Sequence, residues 1–521
     1  MGIGKIEFGT AGLRGVMGQN PGQINIETIQ IVTQGLANYI LTFPKEEWKG
    51  GVVICHDSRI HSREFAEQTA KVFAGNGITA HLTQALRPTP FASFAIRYYG
   101  CIAGVNITAS HNPKEYNGYK VYWADGAQIV PPHDEEIMKA VHAVKGIKTV
   151  TKDHPLIKII DKEAEKAYLD AILKLQIEKG SPDLKIIYSP LNGAGITMIP
   201  EALKMYGFSD VEPVEEQKTP DGTFPTTPYP NPETDAALAL GMRDLVEKQG
   251  DILLVSDPDS DRLSASVIYK GNPKRLTGNE LGAIMLDYLI KKKKPKGKWA
   301  TVTTIVSSPL IKAMTEKAGG TSFEVLTGFK YIGELIHRWE EEQDGYQFLF
   351  GFEESLGFLF GTHARDKDAT IAACLAAEIA LDLKKQGKSL FDKLFEIYDE
   401  FGIYREGQVV LRSDQGQEFL VAALDQLRKN PPKMLAGVKV KSMEDYMKAN
   451  TGLPKANVLA FTLEDQSKFL LRPSGTEPTL KIYGHIYAKK GSLQAFETEL
   501  ESRLNQIKML FSSDQKEKKI A

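Results

Sequence analysis

Apolar and polar positions along the chain alternate between two rhythms. Short apolar, β-branched runs closed by Gly, Asp, Ser or Pro occur at 51–59 (GVVICHDSR), 185–195 (KIIYSPLNGAG), 251–262 (DILLVSDPDSDR) and 300–308 (ATVTTIVSS). Such runs read as strands buried on both faces of a mostly parallel sheet. Helical periodicity lies between them. In ETIQIVTQGLANYI, Ile29, Val32, Leu36 and Tyr39 recur at helical spacing and would cover one face. A second helix is expected from Ser62, carrying Phe65, Thr69 and Val72 and stopped by Gly75 and Gly77. This alternation predicts an α/β architecture, and the stretches starting near 51, 185 and 300 suggest a repeated α/β unit.

The 521 residues exceed what one core can organise, so three or four domains of roughly 100–200 residues are expected. KKKKPKGK (291–298) reads as a solvated basic connector, and a second break is expected near 400–406, in EFGIYREG. KFLLRPSGTEPTLKIYGHIYA reads as strand, turn and strand, followed by a helix; SSDQKEKKIA reads as a disordered tail. Hydrophobic residues make up 42% and charged residues 25% of the chain, an ordinary globular composition. A formal charge of -2, from 64 basic against 66 acidic residues, speaks against a nucleic-acid or membrane partner, so recognition of a charged ligand must be local. Three scattered cysteines, Cys55, Cys101 and Cys374, offer neither a disulfide framework nor zinc spacing. With no apolar signal core at the start and no apolar stretch near about 20 residues, a cytoplasmic protein is expected.

The chemistry concentrates in a few turns. ILLVSDPDSDRL sets Asp257, Asp259 and Asp261 at alternate positions after an apolar strand. Three adjacent carboxylates repel unless a cation neutralises them, and an oxygen-only ligand set points to a hard ion, Mg²⁺ by preference. A calcium loop of the EF-hand type is excluded, because its sixth and twelfth positions would be Arg262 and Ile268 instead of Gly and Glu. A solvated acidic turn is one alternative. Another is the strand-then-D-x-D pattern that resembles the haloacid-dehalogenase phosphatases, with Asp257 as nucleophile; the third carboxylate, Asp261, favours metal holding. In LRPSGTEPTLK, Arg472, Ser474, Gly475 and Thr476 gather a planar donor fork, two hydroxyls and a sterically open backbone, which suits a phosphate monoester; a plain surface turn is the alternative. GVNITASHNPKEYNGYKVYW leads an apolar run into Ser110, flanked by His111 and Lys120. A hydrolase nucleophile normally sits in G-x-S-x-G, which TASHN is not, and His111 is very near in sequence for a general base. A turn-forming hydroxyl and a phosphate-carrying serine remain; a phosphoserine would bring about two negative charges to the aspartates' cation.

TASHNPKEYNGYKVY, DPDSDR, GFEESLGF and RPSGTEPTLK, in that order, resemble the four active-site loops of the α-D-phosphohexomutase superfamily; EFGTAGLRG and RDKDA (365–369) match further segments. The resemblance runs from residue 7 to about 485, and LTGFKYIGE, GFEES and ARDKDA look most like the phosphoglucomutase branch, which also holds phosphopentomutases and a glucose-1,6-bisphosphate synthase. It implies three similar mixed α/β domains plus a smaller C-terminal α+β domain around a central cleft, divided here as 1–175, 176–292, 293–402 and 403–521. It implies interconversion of glucose 1-phosphate and glucose 6-phosphate through phosphorylated Ser110, primed by glucose 1,6-bisphosphate, with one Mg²⁺ per active site held by Asp257, Asp259, Asp261 and a phosphate oxygen on Ser110. Glu353 and Ser355 would bind sugar hydroxyls; Thr327, Gly328, Lys330 and His363 would line the substrate site; Arg472, Ser474, Gly475 and Thr476 would grip the phosphate that is not reacting. Arg14 and Arg262 would approach the reacting phosphate. Proton-transfer candidates are Lys120, His111, Lys367 and His363. A lysine among several cations has a lowered pKa, which favours Lys120 or Lys367, leaving the histidines to orient. Asn192 stands where this branch commonly has His, which weakens the assignment to the branch. Phosphopentomutase, phosphomannomutase and bisphosphate synthase are the alternatives within the family, and a Mg²⁺-dependent sugar phosphatase or a catalytically idle relative those outside its chemistry. The expected partner is a phosphorylated sugar; the oligomeric state is not legible.

Overall fold

The structure, a computed structural model, describes residues 12–160, 162–448, 451–474 and 478–511. The chain forms two compact units: the first runs to Val302 and adds Gly328–Lys393, and the second joins Thr303–Thr327 to everything from Leu394 onward.

The first unit contains two mixed sheets. One is built from β1 (Leu13–Val16), β2 (Val52–His56), β3 (Ala80–Thr83), β4 (Ala103–Ile107), β5 (Tyr116–Trp123) and β6 (Ile157–Ile160), in the order β1-β5-β4-β2-β3-β6. The pairs of β2 with β3 and β4, and of β3 with β6, are parallel, whereas β4–β5 and β1–β5 are antiparallel. The expected largely parallel sheet is thus mixed. The reason is local: residues 108–115 are too few for a crossover, which needs a dozen or more residues, so β5 must fold straight back. The second sheet repeats the design. Its strands β7 (Ile186–Ser189), β8 (Val211–Pro213), β9 (Ile252–Ser256), β10 (Leu263–Tyr269) and β11 (Asn272–Arg275) take the order β11-β10-β9-β7-β8, with β9–β10 antiparallel across the acidic turn. A third hairpin, Gln347–Glu353 with Gly357–Phe360, encloses the GFEES turn.

The helices follow the sequence pattern. Ile26–Ile40 starts at Asn25, whose side chain accepts from Thr28 N, and it buries Ile29, Val32 and Leu36 against the first sheet. Ser62–Gly75 buries Phe65, Thr69 and Val72, and the chain then turns through Gly77 at φ 78°. The lysine run is not a free connector: Lys291–Lys293 complete the last turn of the helix Gly278–Lys293, where cations suit the helix dipole, and Lys292 pairs with Glu178 and Asp382.

In the second unit, strands Ile403–Arg412, Thr479–Ala488, Lys468–Pro473, Leu459–Leu463, Val438–Asp445 and Met434–Leu435 lie in that order, all antiparallel. Leu420 and Leu424 of helix Gln417–Lys429 and Leu500, Leu504 and Ile507 of helix Leu493–Met509 join the core with Leu471, Leu480 and Ile482. Helix Leu390–Phe401 ends, and Gly402 turns at φ 92°, at the residues where a break was expected, whereas the compact units divide after Lys393. The expected tail SSDQKEKKIA lies outside the described residues.

Candidate active site

Three chemistry-bearing turns of the first unit, those of Ser110, the aspartates and GFEES, are ends of hairpins, so a buried strand delivers their residues and the returning strand fixes them. After β4, Ser110 adopts φ 52°, a left-handed conformation that an L-residue adopts only when its surroundings impose it. The restraint is visible. Ser110 N donates to Thr108 Oγ1 at 2.8 Å, and the Arg59 guanidinium donates to four loop carbonyls: Ser110 O at 2.6 Å, Pro113 O at 2.8 Å, Tyr116 O at 3.1 Å, and Asn112 O. Arg59 is itself buried and faces Asp57, Nε to Oδ2 3.4 Å. Gly118 completes the turn, since a Cβ there would lie 2.6 Å from both Leu13 O and Thr108 O.

The Ser110 hydroxyl, 3% exposed, donates to Asp257 Oδ2 at 2.8 Å across 147 residues of sequence. Its oxygen is also 3.1 Å from His111 Nδ1. Because the single hydroxyl proton goes to Asp257, His111 donates from Nδ1. Nearness in sequence, which made His111 less than ideal as a hydrolase base, does not keep it from the serine, since the left-handed turn folds the two side chains together. Burial, with Arg262 and Arg14 beside it, drives the His111 pKa well below the ordinary value.

The acidic turn closes on itself: Asp257 Oδ1 accepts from Asp261 N at 3.1 Å and Arg262 N at 3.0 Å, with Ser260 at φ 55°. The three aspartates bring one carboxylate oxygen each within 4.8 Å of one another, and all three are buried. Asp259 Oδ1 and Asp261 Oδ1 are buried without a hydrogen-bond partner, which inside a protein costs free energy unless a ligand meets them. This oxygen-only set with two orphaned acceptors fits a hard divalent cation.

Part of the negative charge is balanced by lysines. Lys120 Nζ reaches Asp259 Oδ2 at 2.7 Å and Asp261 Oδ2 at 3.2 Å, and Lys367 Nζ reaches Asp261 Oδ2 at 3.3 Å and Asp366 Oδ1 at 3.0 Å. The expectation of lowered lysine pKa values is therefore corrected. Burial pulls both down, but the facing carboxylates outweigh it and the net direction is up. Correspondingly, burial raises Asp259 and Asp261, yet the lysines hold both below the usual carboxylate range, whereas Asp257 is pushed well up by burial and its two acidic neighbours. Lys367 fits only because residue 357 is glycine: a Cβ there would lie 2.0 Å from Lys367 Cδ.

Of the other expected site residues, Arg14 donates to Asn112 Oδ1 at 3.0 Å and faces the aspartates, and Arg262 lies 3.7 Å from Glu233 and 3.9 Å from Asp261. Glu353 is buried and accepts from Gly328 N at 2.8 Å; Ser355 is half-buried in the same hairpin turn. Lys330 turns instead to Ile129 O at 3.4 Å and Asp134 at 3.9 Å. His363 pairs with Asp368 Oδ2 at 2.7 Å, an oxygen that also takes the Tyr168 hydroxyl, so its Nε2 is committed to a helix cap. The Thr327 hydroxyl is buried without a hydrogen-bond partner in the second unit. Arg472 ends strand Lys468–Pro473 there; Ser474 N donates to Thr479 O and its carbonyl accepts from Gln417. Gly475 and Thr476 lie outside the described residues. Residues that sequence reasoning passed over include Arg59, Thr89, whose hydroxyl donates to Asp259 Oδ2 at 2.7 Å, and Asp366. The available signal was HDSR, a charged pair directly after a strand already recognised.

A buried serine hydroxyl bonded to one of three converging carboxylates, on mixed α/β sheets, sets a nucleophilic oxygen beside a site that can hold a divalent cation. Residues 5–147, 166–269 and 277–401 match α/β/α domains I, II and III of phosphoglucomutase/phosphomannomutase. A probable phosphomannomutase of Haemophilus influenzae is 38% identical over 457 residues, covering 86% of this chain and 90% of its own. A phosphoglucomutase of Staphylococcus haemolyticus is 36% identical over 499 residues, covering 92% and 90%. The crystal structure of a putative phosphomannomutase from Thermus thermophilus superposes with a TM-score of 0.72 at 21% identity over 98% of this chain and 99% of its own, and parafusin of Paramecium in its open form with 0.72 at 19% over 97% and 94%. The chain belongs to the phosphoglucomutase/phosphomannomutase family of the α-D-phosphohexomutase superfamily. It is a mutase-type phosphotransferase with phosphohexomutase activity, built as three α/β/α domains and a C-terminal β-rich domain.

Proposed function

We propose that the protein interconverts glucose 1-phosphate and glucose 6-phosphate through phosphorylated Ser110 and a glucose 1,6-bisphosphate intermediate, with the four domains divided as in the sequence reading. The observation that carries this is the 2.8 Å bond between the Ser110 hydroxyl and Asp257, which sets a strained, otherwise enclosed serine at the mouth of a cation-ready triad. Asp257, Asp259 and Asp261 would hold Mg²⁺, which when bound supplies Lewis-acid neutralisation of phosphoryl oxygens. The bond from Ser110 Oγ to phosphorus breaks as a bond from O6 of glucose 1-phosphate forms, and the O6 proton is released. In the second half-reaction Ser110 Oγ takes the 1-phosphoryl of the bisphosphate, and the freed O1 regains a proton. Phosphoryl transfer develops charge on the equatorial oxygens; Lys120, Lys367, Arg14 and Arg262, which face the aspartates, would offer donors to that charge. Of the four proton-transfer candidates it is His111, expected only to orient, that bonds Ser110 Oγ, so it is placed to give a proton to that oxygen as it leaves. Glu353 offers its carboxylate to sugar hydroxyls, and Arg472 and Ser474 are assigned to the distal phosphate by resemblance. Three buried cysteines, none in a disulfide, accord with a reducing, cytoplasmic setting.

Ser110→Ala should abolish interconversion, and mass spectrometry of the active enzyme should place acid-stable phosphate on Ser110; full activity of the variant refutes the reading. The phosphatase alternative is disfavoured because both Asp257 oxygens are engaged, one by two backbone N–H groups and the other by Ser110; a hydroxylamine-labile acyl phosphate on Asp257 would restore it. The Haemophilus relative favours mannose phosphates as the second reading. Comparing kcat/KM for glucose, mannose and ribose 1-phosphates separates these and the pentose alternative, and an acyl-phosphate donor tests bisphosphate synthesis.

A further inference from the structure

The segment TFPTTPYPNPET (223–234) belongs to none of the four recognised loops, yet both of its ends are fastened to residues of the serine centre. At its start, Gly222 bridges to Arg59, the residue that holds the serine loop, and Phe224 packs its ring 5.0 Å from the Arg59 guanidinium. A side chain at 222 would lie 2.4 Å from Ile60 N, so this approach requires glycine. Asn192 holds the stretch before it, accepting at its carbonyl from Asp221 N and donating through its amide to Thr219 O at 2.8 Å. At its far end Glu233 faces Arg262 at 3.7 Å, and the Glu233 carbonyl accepts from Arg275. Between the two fastenings stands Tyr229, its ring edge-on to His111 with centroids 5.8 Å apart. Its exposure is 42%, whereas Ser110 is 3% and Lys120 2% exposed. One side of a large aromatic is thus spent on the histidine that bonds the serine, and much of the rest faces open space beside the reacting group.

We propose that Tyr229 is a substrate-contact residue: its ring meets the C–H face of the sugar next to the phosphoryl carried by Ser110. The inference rests on the phosphosugar reading above. Aromatic rings pack well on such faces because the C–H groups are weakly positive and the ring face is negative. The backbone fastenings keep the ring in place before substrate arrives, so little ordering is needed on binding.

The test compares Tyr229→Ala and Tyr229→Phe with the wild-type enzyme in steady-state interconversion, primed with glucose 1,6-bisphosphate. Tyr229→Ala should raise KM for glucose 1-phosphate about three- to tenfold, the range of an aromatic contact, with kcat changed far less and the thermal midpoint unaltered. Its preference for glucose 1-phosphate over ribose 1-phosphate should narrow by a similar factor, because a furanose offers a smaller face. Tyr229→Phe should retain the wild-type KM. A Tyr229→Ala enzyme with wild-type KM and wild-type sugar preference overturns the inference, as does a uniform fall in kcat with KM unmoved, which would signify support of His111 alone. Failure of the wild-type protein to interconvert hexose phosphates would instead refute the underlying reading.

Discussion

Arg59 is the residue on which the serine loop depends, and Arg59→Lys isolates its role. Arginine presents a planar fork of five donors, and here two of its nitrogens serve four carbonyls while the charge faces Asp57. A lysine ammonium preserves the charge opposite Asp57 but has three donors from one point, so at least two of the carbonyl bonds are lost. Hydrogen bonds involving a charged group are worth about 1.5–3 kcal/mol each, so the variant should lose roughly 3–6 kcal/mol of stability in the first unit. The loop should also relax from the φ 52° conformation at Ser110. A misplacement of about 1 Å at a reacting group costs on the order of 100-fold in rate, so kcat should fall about 10- to 100-fold while KM changes little. Arg59→Met additionally strands a buried Asp57, at a further cost of about 3–5 kcal/mol, and should fail to accumulate as folded protein. The assays are urea unfolding, followed by hydrogen exchange at β4 and β5, and kinetics at saturating glucose 1-phosphate. An Arg59→Lys enzyme with wild-type kcat and unchanged protection of these strands would refute the reasoning.

Three other perturbations test separate parts of the structure. Stripping the enzyme with chelator should abolish turnover and Mg²⁺ should restore it; at about 100 times its Kd the ion should stabilise the fold by about 2.7 kcal/mol, a midpoint shift that Asp259→Asn should erase. Gly357→Ala forces a methyl onto the Lys367 stem, 2.0 Å away; overpacking of this kind costs about 1–3 kcal/mol, and kcat should drop as Lys367 leaves Asp261, while unaltered activity would show that the lysine position is immaterial. Glu378 is raised from 4.5 to about 7, chiefly by burial, though it accepts from Ile177 N and Glu178 N. The folded state therefore holds this proton more tightly than the unfolded state, so its stability contribution is complete below about pH 4.5 and is lost as pH rises through 7. Glu378→Gln should flatten the stability profile across that window, and an identical profile would exclude Glu378 as its source.

Much of this was legible in residue order because it depends on local chemistry. The strands around 52, 186 and 252 are short apolar runs that must be buried, the helix at 26–40 has its stripe and its Asn25 cap, and three alternate aspartates after a strand point to a cation site over the acidic-turn and phosphatase alternatives. Where local pattern misled, a neighbour from elsewhere in the chain was responsible. The lysines at 120 and 367 were expected among cations and instead face Asp259, Asp261 and Asp366, because strand pairing brings a hairpin from one sheet against a turn from another. Lys330 Nζ and His363 Nε2, both expected at the substrate site, reach Ile129 O and Asp368, while His363 Nδ1 is buried without a hydrogen-bond partner. Tyr229 has unremarkable sequence surroundings, and the charged pair in HDSR hints at Arg59 without saying what it holds; their contacts give both their significance. Sequence alone therefore determined which segments would be buried, which turns would be rich in ligands and which family they compose, since those follow from hydrophobic period and short-range spacing. Tertiary structure decided which charge faces which, because a Coulombic or hydrogen-bonding partner is selected by distance in space, and a separation of 147 residues collapses to 2.8 Å only once the sheets are built.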